Sequence, residues 1–162
     1  MFELRPVQND DEARLLRFEL ENRAYFAESI SDRGDDFFEK FAERHRELLA
    51  GQEAGACAFY LFVAEDEQVV GRFNLYDLVD GTANVGYRVG QTFSGSGAAT
   101  SGLIELCHIA RHEHALRALS ATTSDENIAS QKVLLKAGFV AIEAAVVAGR
   151  QGVRYELSLE GY

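Results

Sequence analysis

The chain has 162 residues, 47% of them apolar, which is enough for one domain with a sizeable core but not for two. Sixteen basic residues against 26 acidic ones give a net charge of −10, which argues against nucleic acid as a partner because phosphate binding needs a basic surface. No apolar run approaches the roughly 20 residues of a membrane span. We therefore expect a soluble, cytoplasmic single domain over residues 1–162 with no membrane partner.

The first half of the chain predicts a strand, two helices and a hairpin. The strand covers residues 2–7, and an acidic cap then begins a helix that reaches Ala27. Apolar residues at helical spacing predict a second helix over residues 37–50. An apolar run at 58–64 and a partner at 69–75 predict two strands joined by a turn.

The second half alternates strands and helices before a closing hairpin. Its predicted elements are a strand over 84–89, a helix that follows a glycine-rich loop and ends near His114, a strand over 120–124, a helix that contains Ser130, and paired strands over 140–147 and 153–159. Helices stand between strands at the start and middle, while hairpins occupy the rest. We therefore expect an α/β fold with a mixed sheet and helices on both faces.

The glycine-rich loop lies where a strand turns into a helix N-terminus. It consists of Ser94, Gly95, Ser96, Gly97, Ala98, Ala99 and Thr100. Backbone N–H groups at a helix N-terminus attract anions, and glycines without a Cβ let a pyrophosphate approach the main chain closely. An ordinary strand-to-helix turn has the same composition, so the loop by itself leaves both interpretations open.

A second segment about thirty residues later strengthens the interpretation of a ligand site. Asn127 and Ser130 are three residues apart, so on a helix they share a face and can contact one ligand. Asn127 is also a good helix cap, and Ser130 can be a small packing residue. Arg88, Lys132 and Lys136 are candidate cations for an anionic cofactor, although Lys136 can equally serve the helix C-terminus.

Together the two segments resemble the GNAT N-acetyltransferases. Gly97 and Ala99 fill the last two places of that family's pyrophosphate motif, Gln/Arg-x-x-Gly-x-Gly/Ala. The family signature Asn-x-x-Ser-x-x-Val-Leu-x-Lys-x-Gly-Phe is matched without a gap by Asn127, Ser130, Val133, Leu134, Lys136, Gly138 and Phe139. In this form it is similar to the branch that contains the ribosomal-protein N-terminal acetyltransferases.

The resemblance implies the GNAT fold, a mostly antiparallel sheet of about seven strands that splays at the cofactor site. It implies that acetyl-CoA (coenzyme A) is the cofactor and that the strand around Arg88 and Val89 opens away from the strand around Ala121. Asn127 would contact the pantetheine arm, and Ser130 would stabilise the departing thiolate. The implied activity is acetyl transfer, by direct attack in a ternary complex, to a primary amine of a small molecule or a protein N-terminus.

Three positions depart from the family pattern. Leu134 occupies the place where many relatives carry a tyrosine as general acid, which excludes a tyrosine acid at this position. Asn84 occupies a place where relatives often carry a basic glutamate, and Ser94 replaces the glutamine or arginine that begins the pyrophosphate motif. Glu143 and Asp77 are the replacement bases that we consider, beside a water chain. A non-catalytic acyl-CoA-binding or regulatory domain is the alternative function.

The remaining reactive side chains predict little chemistry. Cys57 and Cys107 lie in apolar runs and are expected in the core as free thiols. His108 and His112 have helical spacing for zinc, but neither a HExxH order nor a full ligand set accompanies them, so we expect no metal site. Candidates for the acceptor groove are Asn22, Tyr25 and Phe26 on the first helix and Tyr76 after the third strand, each of which can equally be a packing or surface residue. The closing hairpin is compatible with a monomer or a homodimer.

Overall fold

Seven strands form one open sheet in the computed structural model, which describes residues 2–162. The strands are β1 (Phe2–Pro6), β2 (Cys57–Ala64), β3 (Val69–Val79), β4 (Thr82–Val89), β5 (Ala118–Ser124), β6 (Val140–Val147) and β7 (Arg150–Ser158). Their spatial order is β1-β2-β3-β4-β5-β7-β6, and every neighbouring pair is antiparallel except β4 with β5. The predicted mixed, mostly antiparallel sheet of seven strands is confirmed.

Six helices lie around this sheet. They are α1 (Glu12–Glu21), α2 (Arg23–Ala27), α3 (Asp35–Glu39), α4 (Phe41–Glu53), α5 (Ala98–His112) and α6 (Ile128–Lys136), with 3-10 turns at Asn9–Asp11 and Gln91–Phe93. Leu103 and Leu106 of α5 are fully buried in the larger core cluster on one face. Leu15 and Phe41 form a smaller cluster with β2 on the other. Helices therefore cover both faces, as predicted.

The first predicted helix is wrong in one respect, because it breaks at Asn22 into α1 and α2. The Asn22 backbone leaves the helical region, at φ −104° and ψ 5°. Its side-chain amide donates to the Phe18 carbonyl at 2.9 Å and accepts from the Gln91 N–H at 2.9 Å. Asparagine often competes with the helix backbone in this way. At this break, the Asn22 side chain joins the end of α1 to the 3-10 turn at Gln91–Phe93, which precedes the glycine loop.

β4 and β5 pair over only three positions. Thr82 to Asn84 align with Ala118 to Ser120, and no further register pair follows towards the C-terminal ends of these strands. Residues 85–89 and 121–124 therefore diverge, which gives the opening that was predicted between the Arg88 region and Ala121. Backbone groups along the open edge of β4 are available to a ligand, since parallel pairing would otherwise occupy them.

Both cysteines are free thiols. Cys107 is fully buried in the larger core, where burial raises the pKa of its thiol to about 12. Cys57 is half-buried, and burial raises the pKa of its thiol as well. A raised pKa leaves little reactive thiolate at neutral pH, so neither residue is set up as a nucleophile. Among residues 2–162, no helix combines the length and apolarity needed to cross a membrane.

Candidate active site

The glycine loop ends at the N-terminus of α5 with its amides exposed. Gly95 and Gly97 have φ values of 73° and 84°, in the left-handed region that favours glycine. The first intrahelical hydrogen bond runs from the Ser101 N–H to the Gly97 carbonyl at 3.0 Å, so the N–H groups of residues 98–100 have no acceptor within the helix. A Cβ built on Gly97 finds no atom within 4 Å. The space in front of the helix can therefore hold an anionic group.

A groove of about 360 Å³ is lined by this loop, the end of β4 and α6. Of the residues predicted to bind the cofactor, Ser96 does not line it, and its hydroxyl instead donates to the Phe93 carbonyl. The others line the groove: Arg88, Val89, Ser94, Gly95, Gly97, Ala98, Ala99, Thr100, Asn127, Ser130 and Lys136. The structure thus brings two segments that are distant in sequence to one ligand-sized groove.

The cations around the groove differ in their partners. The Arg88 guanidinium lies 3.5 Å from the buried carboxylate of Glu19 and 5.0 Å from the centre of the Phe26 ring. Burial lowers the pKa of Arg88 to about 10, so it stays charged at neutral pH. Because its charge faces Glu19, the cations left for phosphate groups in this groove are Lys132 and Lys136 on α6.

Tyr87 and Ser130 connect the two sides of the opening. Their hydroxyl oxygens lie 2.9 Å apart, which links β4 to α6. The Tyr87 ring stacks on Phe73, with centroids 5.7 Å apart and planes at 15°. Burial raises the pKa of Tyr87 to about 12, so the phenol is protonated at neutral pH and can donate a hydrogen bond.

Sequence reasoning missed Tyr87. It lies on the same face of β4 as Val85 and Val89, so the pattern predicts one more core side chain. The available signal was its polar hydroxyl, which needs a partner when buried, on the strand that leads to the glycine loop.

Asn127 caps α6, since its side-chain oxygen accepts a hydrogen bond from the Ser130 N–H at 3.2 Å. The structural role that its residue type suggested is therefore confirmed. Asn127 nevertheless lines the groove beside Ser130, so capping aims both residues at the same space.

Neither candidate base lines the groove or the cavities beside it. Asp77 accepts a hydrogen bond from the Asn84 amide at 3.1 Å, so a carboxylate adjoins the position where the family pattern has one. Glu143 forms an ion pair with Arg154 at 3.2 Å on the closing hairpin. Leu134 is buried, with 1% of its surface exposed.

Two further cavities meet this groove at Tyr87. A cavity of about 140 Å³ lies in the opening itself and is lined by Tyr87, Ser130 and residues 121–124 of β5. A larger one, of about 620 Å³, lies between α3, α4 and the strands β3 and β4, with Tyr87 and Tyr76 in its lining. We name it the arginine cavity, after Arg33, Arg44, Arg72 and Arg88 in its lining. Of the residues considered for an acceptor groove, Tyr76 lines this cavity, Tyr25 and Phe26 line the groove beside the glycine loop, and Asn22 lines neither.

Comparisons with known proteins agree with this geometry. The profile of a family described as acetyltransferase (GNAT) domain matches residues 2–140. A probable N-acetyltransferase from Bacillus subtilis (strain 168), YjcK, is 30% identical over 144 residues, which cover 84% of this chain and 78% of that protein.

Solved structures share the fold at low sequence identity. A ribosomal-protein-S5-alanine acetyltransferase from Vibrio fischeri has a TM-score of 0.90 at 18% identity, covering 98% of this chain and 93% of its own. Mycobacterium smegmatis RimJ, in complex with CoA-disulfide, has a TM-score of 0.86 at 24% identity, covering 99% and 83%. A spermidine N-acetyltransferase from Vibrio cholerae has a TM-score of 0.80 at 14% identity, covering 99% and 96%. With its profile match, its curated relative and its fold, the chain belongs to the GNAT acetyltransferase family.

Proposed function

We propose that the chain transfers an acetyl group from acetyl-CoA to a primary amine, carried by a small molecule or by a protein N-terminus. One observation carries the proposal. The hydrogen-bonded pair of Tyr87 and Ser130 lies where the cofactor groove meets the cavity in the opened sheet. The neighbours' acceptors, ribosomal proteins and spermidine, are amines of both kinds and support an amine substrate for this chain.

We infer that the groove holds the cofactor by its anionic and amide groups. The N–H groups of residues 98–100 suit a pyrophosphate, with Lys132 and Lys136 adding positive charge. The open edge of β4 near Val89 and the side chain of Asn127 suit the pantetheine arm. The CoA complex of Mycobacterium smegmatis RimJ supports this assignment.

Acetyl-CoA supplies an activated thioester, whose C–S bond breaks as the amine nitrogen bonds to the acetyl carbon. The chain contributes a donor for the thiolate that leaves. We infer that Tyr87, whose phenol is protonated at neutral pH, donates to the Ser130 oxygen 2.9 Å away, which frees the Ser130 hydroxyl to donate to sulfur. The proton lost by the amine passes through water to a carboxylate, for which Asp77 is our first candidate and Glu143 our second.

Ser130→Ala should slow turnover by about tenfold, because the thiolate loses its direct hydrogen-bond donor. Cofactor affinity should change less than about twofold, since charge contacts at the loop remain. Initial rates and calorimetry measure the two effects separately. Ser94→Ala is a matched control, because that hydroxyl lies at the loop and donates to the Gln91 carbonyl. A wild-type rate for Ser130→Ala would remove this serine from the mechanism.

Asp77→Asn should lower kcat/KM at neutral pH by at least about tenfold, because the amide cannot take the proton of the amine. Glu143→Gln is the parallel variant, and Glu156→Gln is its control, since both carboxylates pair with Arg154. A loss confined to Glu143→Gln would transfer the role of base to Glu143. Unchanged rates in all three variants would leave a water chain as the route for the proton.

Calorimetry with acetyl-CoA, followed by a thiol-release assay over a panel of primary amines, tests the function as a whole. We expect saturable binding, and release of thiol that depends on an amine. Binding without release for any amine would favour the alternative of an acyl-CoA-binding domain. The absence of binding would overturn the cofactor assignment, with Ser94 and Asn84 as the positions to restore first.

A further inference from the structure

The arginine cavity has a charge opposite to that of the whole chain. Arg33, Arg44, Arg72 and Arg88 line it together with Glu47, and the buried Glu19 pairs with three of these arginines. The charge of Asp32 also acts on Arg88, but Asp32 lies outside the lining and is paired with Arg23. Four positive charges against two negative charges leave an excess of +2, whereas the whole chain carries −10. The cavity is therefore a local cationic site on an acidic protein.

One buried carboxylate is shared by three guanidinium groups. Glu19 has 1% of its side chain exposed and lies 3.0 Å from Arg72, 3.5 Å from Arg88 and 3.6 Å from Arg33. Within residues 2–162, these three arginines have no ion pair with any other carboxylate. Glu19 can balance one positive charge, so the cluster has room for a further anion.

Unpaired polar atoms coincide with the same cavity. In the described part of the chain, the buried side-chain atoms without a hydrogen-bond partner are Arg72 Nε, Asn74 Oδ1 and His45 Nδ1. All three residues line the arginine cavity. Buried polar groups are normally satisfied, and exceptions concentrate where a ligand or an ordered water completes the network. Arg72 Nε is the donor that an anion would complete. Asn74 Oδ1 and His45 Nδ1 are acceptors, because His45 Nε2 faces the Gln8 and Asn9 carbonyls, and they need a donor such as water. Arg72, with 6% of its surface exposed, is a buried guanidinium whose hydrogen bonds are incomplete.

We propose that the arginine cavity binds a carboxylate of the acceptor, so that the substrate is an amine that also carries an anionic group. The inference rests on the proposed function and specifies its substrate class. The cavity shares Gly86 and Tyr87 with the opening that holds Ser130, so a carboxylate among the arginines leaves the amine end free to reach the opening. Its volume, about 620 Å³, suits a small ligand or a peptide terminus. A polycationic amine is disfavoured by the same charges.

The test compares acceptors that differ only in charge. Tripeptide amides Ala-Glu-Glu, Ala-Gln-Gln and Ala-Lys-Lys represent protein N-termini, and γ-aminobutyrate with its amide represents small amines. We expect kcat/KM for the anionic member to exceed that of its neutral partner by at least about fivefold, with Ala-Lys-Lys lowest. If the preference for the anionic acceptor is larger among the peptides, the carboxylate comes from a protein N-terminal segment. If it is larger among the small amines, the carboxylate comes from a small molecule. Equal or better use of Ala-Lys-Lys would overturn the proposal.

Arg33→Gln should remove most of this preference while changing kcat/KM for Ala-Gln-Gln less than about twofold. Arg33 is suitable because its side chain is 32% exposed, so its loss leaves the fold intact. Arg44→Gln is a second variant, and Arg46→Gln is the matched control because this exposed arginine on the same helix does not line the cavity. An equal loss for all three peptides in Arg33→Gln would contradict recognition of the carboxylate.

A binding measurement separates this proposal from the proposed function. The acetylated peptide amide N-acetyl-Ala-Glu-Glu is titrated into the chain by calorimetry, and so is N-acetyl-Ala-Gln-Gln. If the anionic peptide binds and this binding is lost in Arg33→Gln, the carboxylate site is supported, even if no amine is acetylated. The absence of acetylation would then contradict only the proposed function. Equal or absent binding of both peptides would overturn the site even in an active enzyme.

Discussion

Gly97→Glu should abolish measurable cofactor binding while the domain stays folded. The side chain enters open space in front of α5, since a Cβ at this position meets no atom within 4 Å. Its carboxylate would then lie where the N–H groups of residues 98–100 attract a pyrophosphate. We expect the Kd for acetyl-CoA to rise at least about 100-fold, equivalent to about 2.8 kcal/mol. Calorimetry measures the affinity, and thermal unfolding reports the fold.

Two controls separate charge from backbone strain in that result. Gly97→Ala imposes the same left-handed φ of 84° on a residue with a Cβ but adds no charge, so it should weaken binding much less. Gly55→Glu adds the same carboxylate to a glycine with φ 76° and nothing within 4 Å, away from the groove. It should bind acetyl-CoA like the unaltered chain. Equal losses in Gly97→Ala and Gly97→Glu would mean that loop geometry, and not charge, governs binding.

Tyr87→Phe should lower kcat by about tenfold, the loss expected for Ser130→Ala, and leave cofactor affinity within about threefold. The ring and its stacking on Phe73 persist, so the packing changes little. The variant removes the hydroxyl that lies 2.9 Å from the Ser130 oxygen. The Ser130 hydroxyl then loses the donor that orients it towards the sulfur of the leaving thiolate. Steady-state rates with a saturating amine measure the effect.

The double variant tests whether Tyr87 and Ser130 act together. If they form one relay, combining Tyr87→Phe with Ser130→Ala should cost little more than Tyr87→Phe alone. Tyr60→Phe is the matched control, since its hydroxyl lies 2.7 Å from the His114 ring and its pKa is likewise raised to about 12 by burial. It should leave the rate unchanged. A wild-type rate for Tyr87→Phe, or additive losses in the double variant, would contradict the relay.

Most of the fold could be predicted from local patterns. Apolar runs and turn residues predicted the strands, and helical spacing after the glycine loop predicted α5. These elements follow from periodicity over a few residues. The break at Asn22 could not be found in this way. Its side-chain oxygen bonds the Gln91 N–H, 69 residues away along the chain, and only the folded chain creates that contact.

The sequence contains more signal for the candidate cofactor groove than for the arginine cavity. The glycine loop and the Asn127 segment form compact motifs, whereas the arginine cavity combines Arg33 from a loop, Arg72 from β3 and Arg88 from β4. The net charge of −10 sums over the whole surface, so composition does not reveal this local cluster of arginines. Asp77 likewise reaches Asn84 through an irregular register in β3, where its φ is 52°. The residues around Asp77 in the sequence do not predict this bend in the strand.

The short pairing between β4 and β5 also affects the stability of the protein against unfolding. One part of the sheet contains β1 to β4 and the other contains β5, β7 and β6, and three residue pairs join their backbones. A ligand that contacts both β4 and α6 acts as a clamp between these parts. Its binding adds to the free energy of unfolding, by about 2.7 kcal/mol when the free ligand is at 100 times its Kd. The concentration of the acyl donor would thus affect how long the protein stays folded, as well as how fast it transfers acetyl groups.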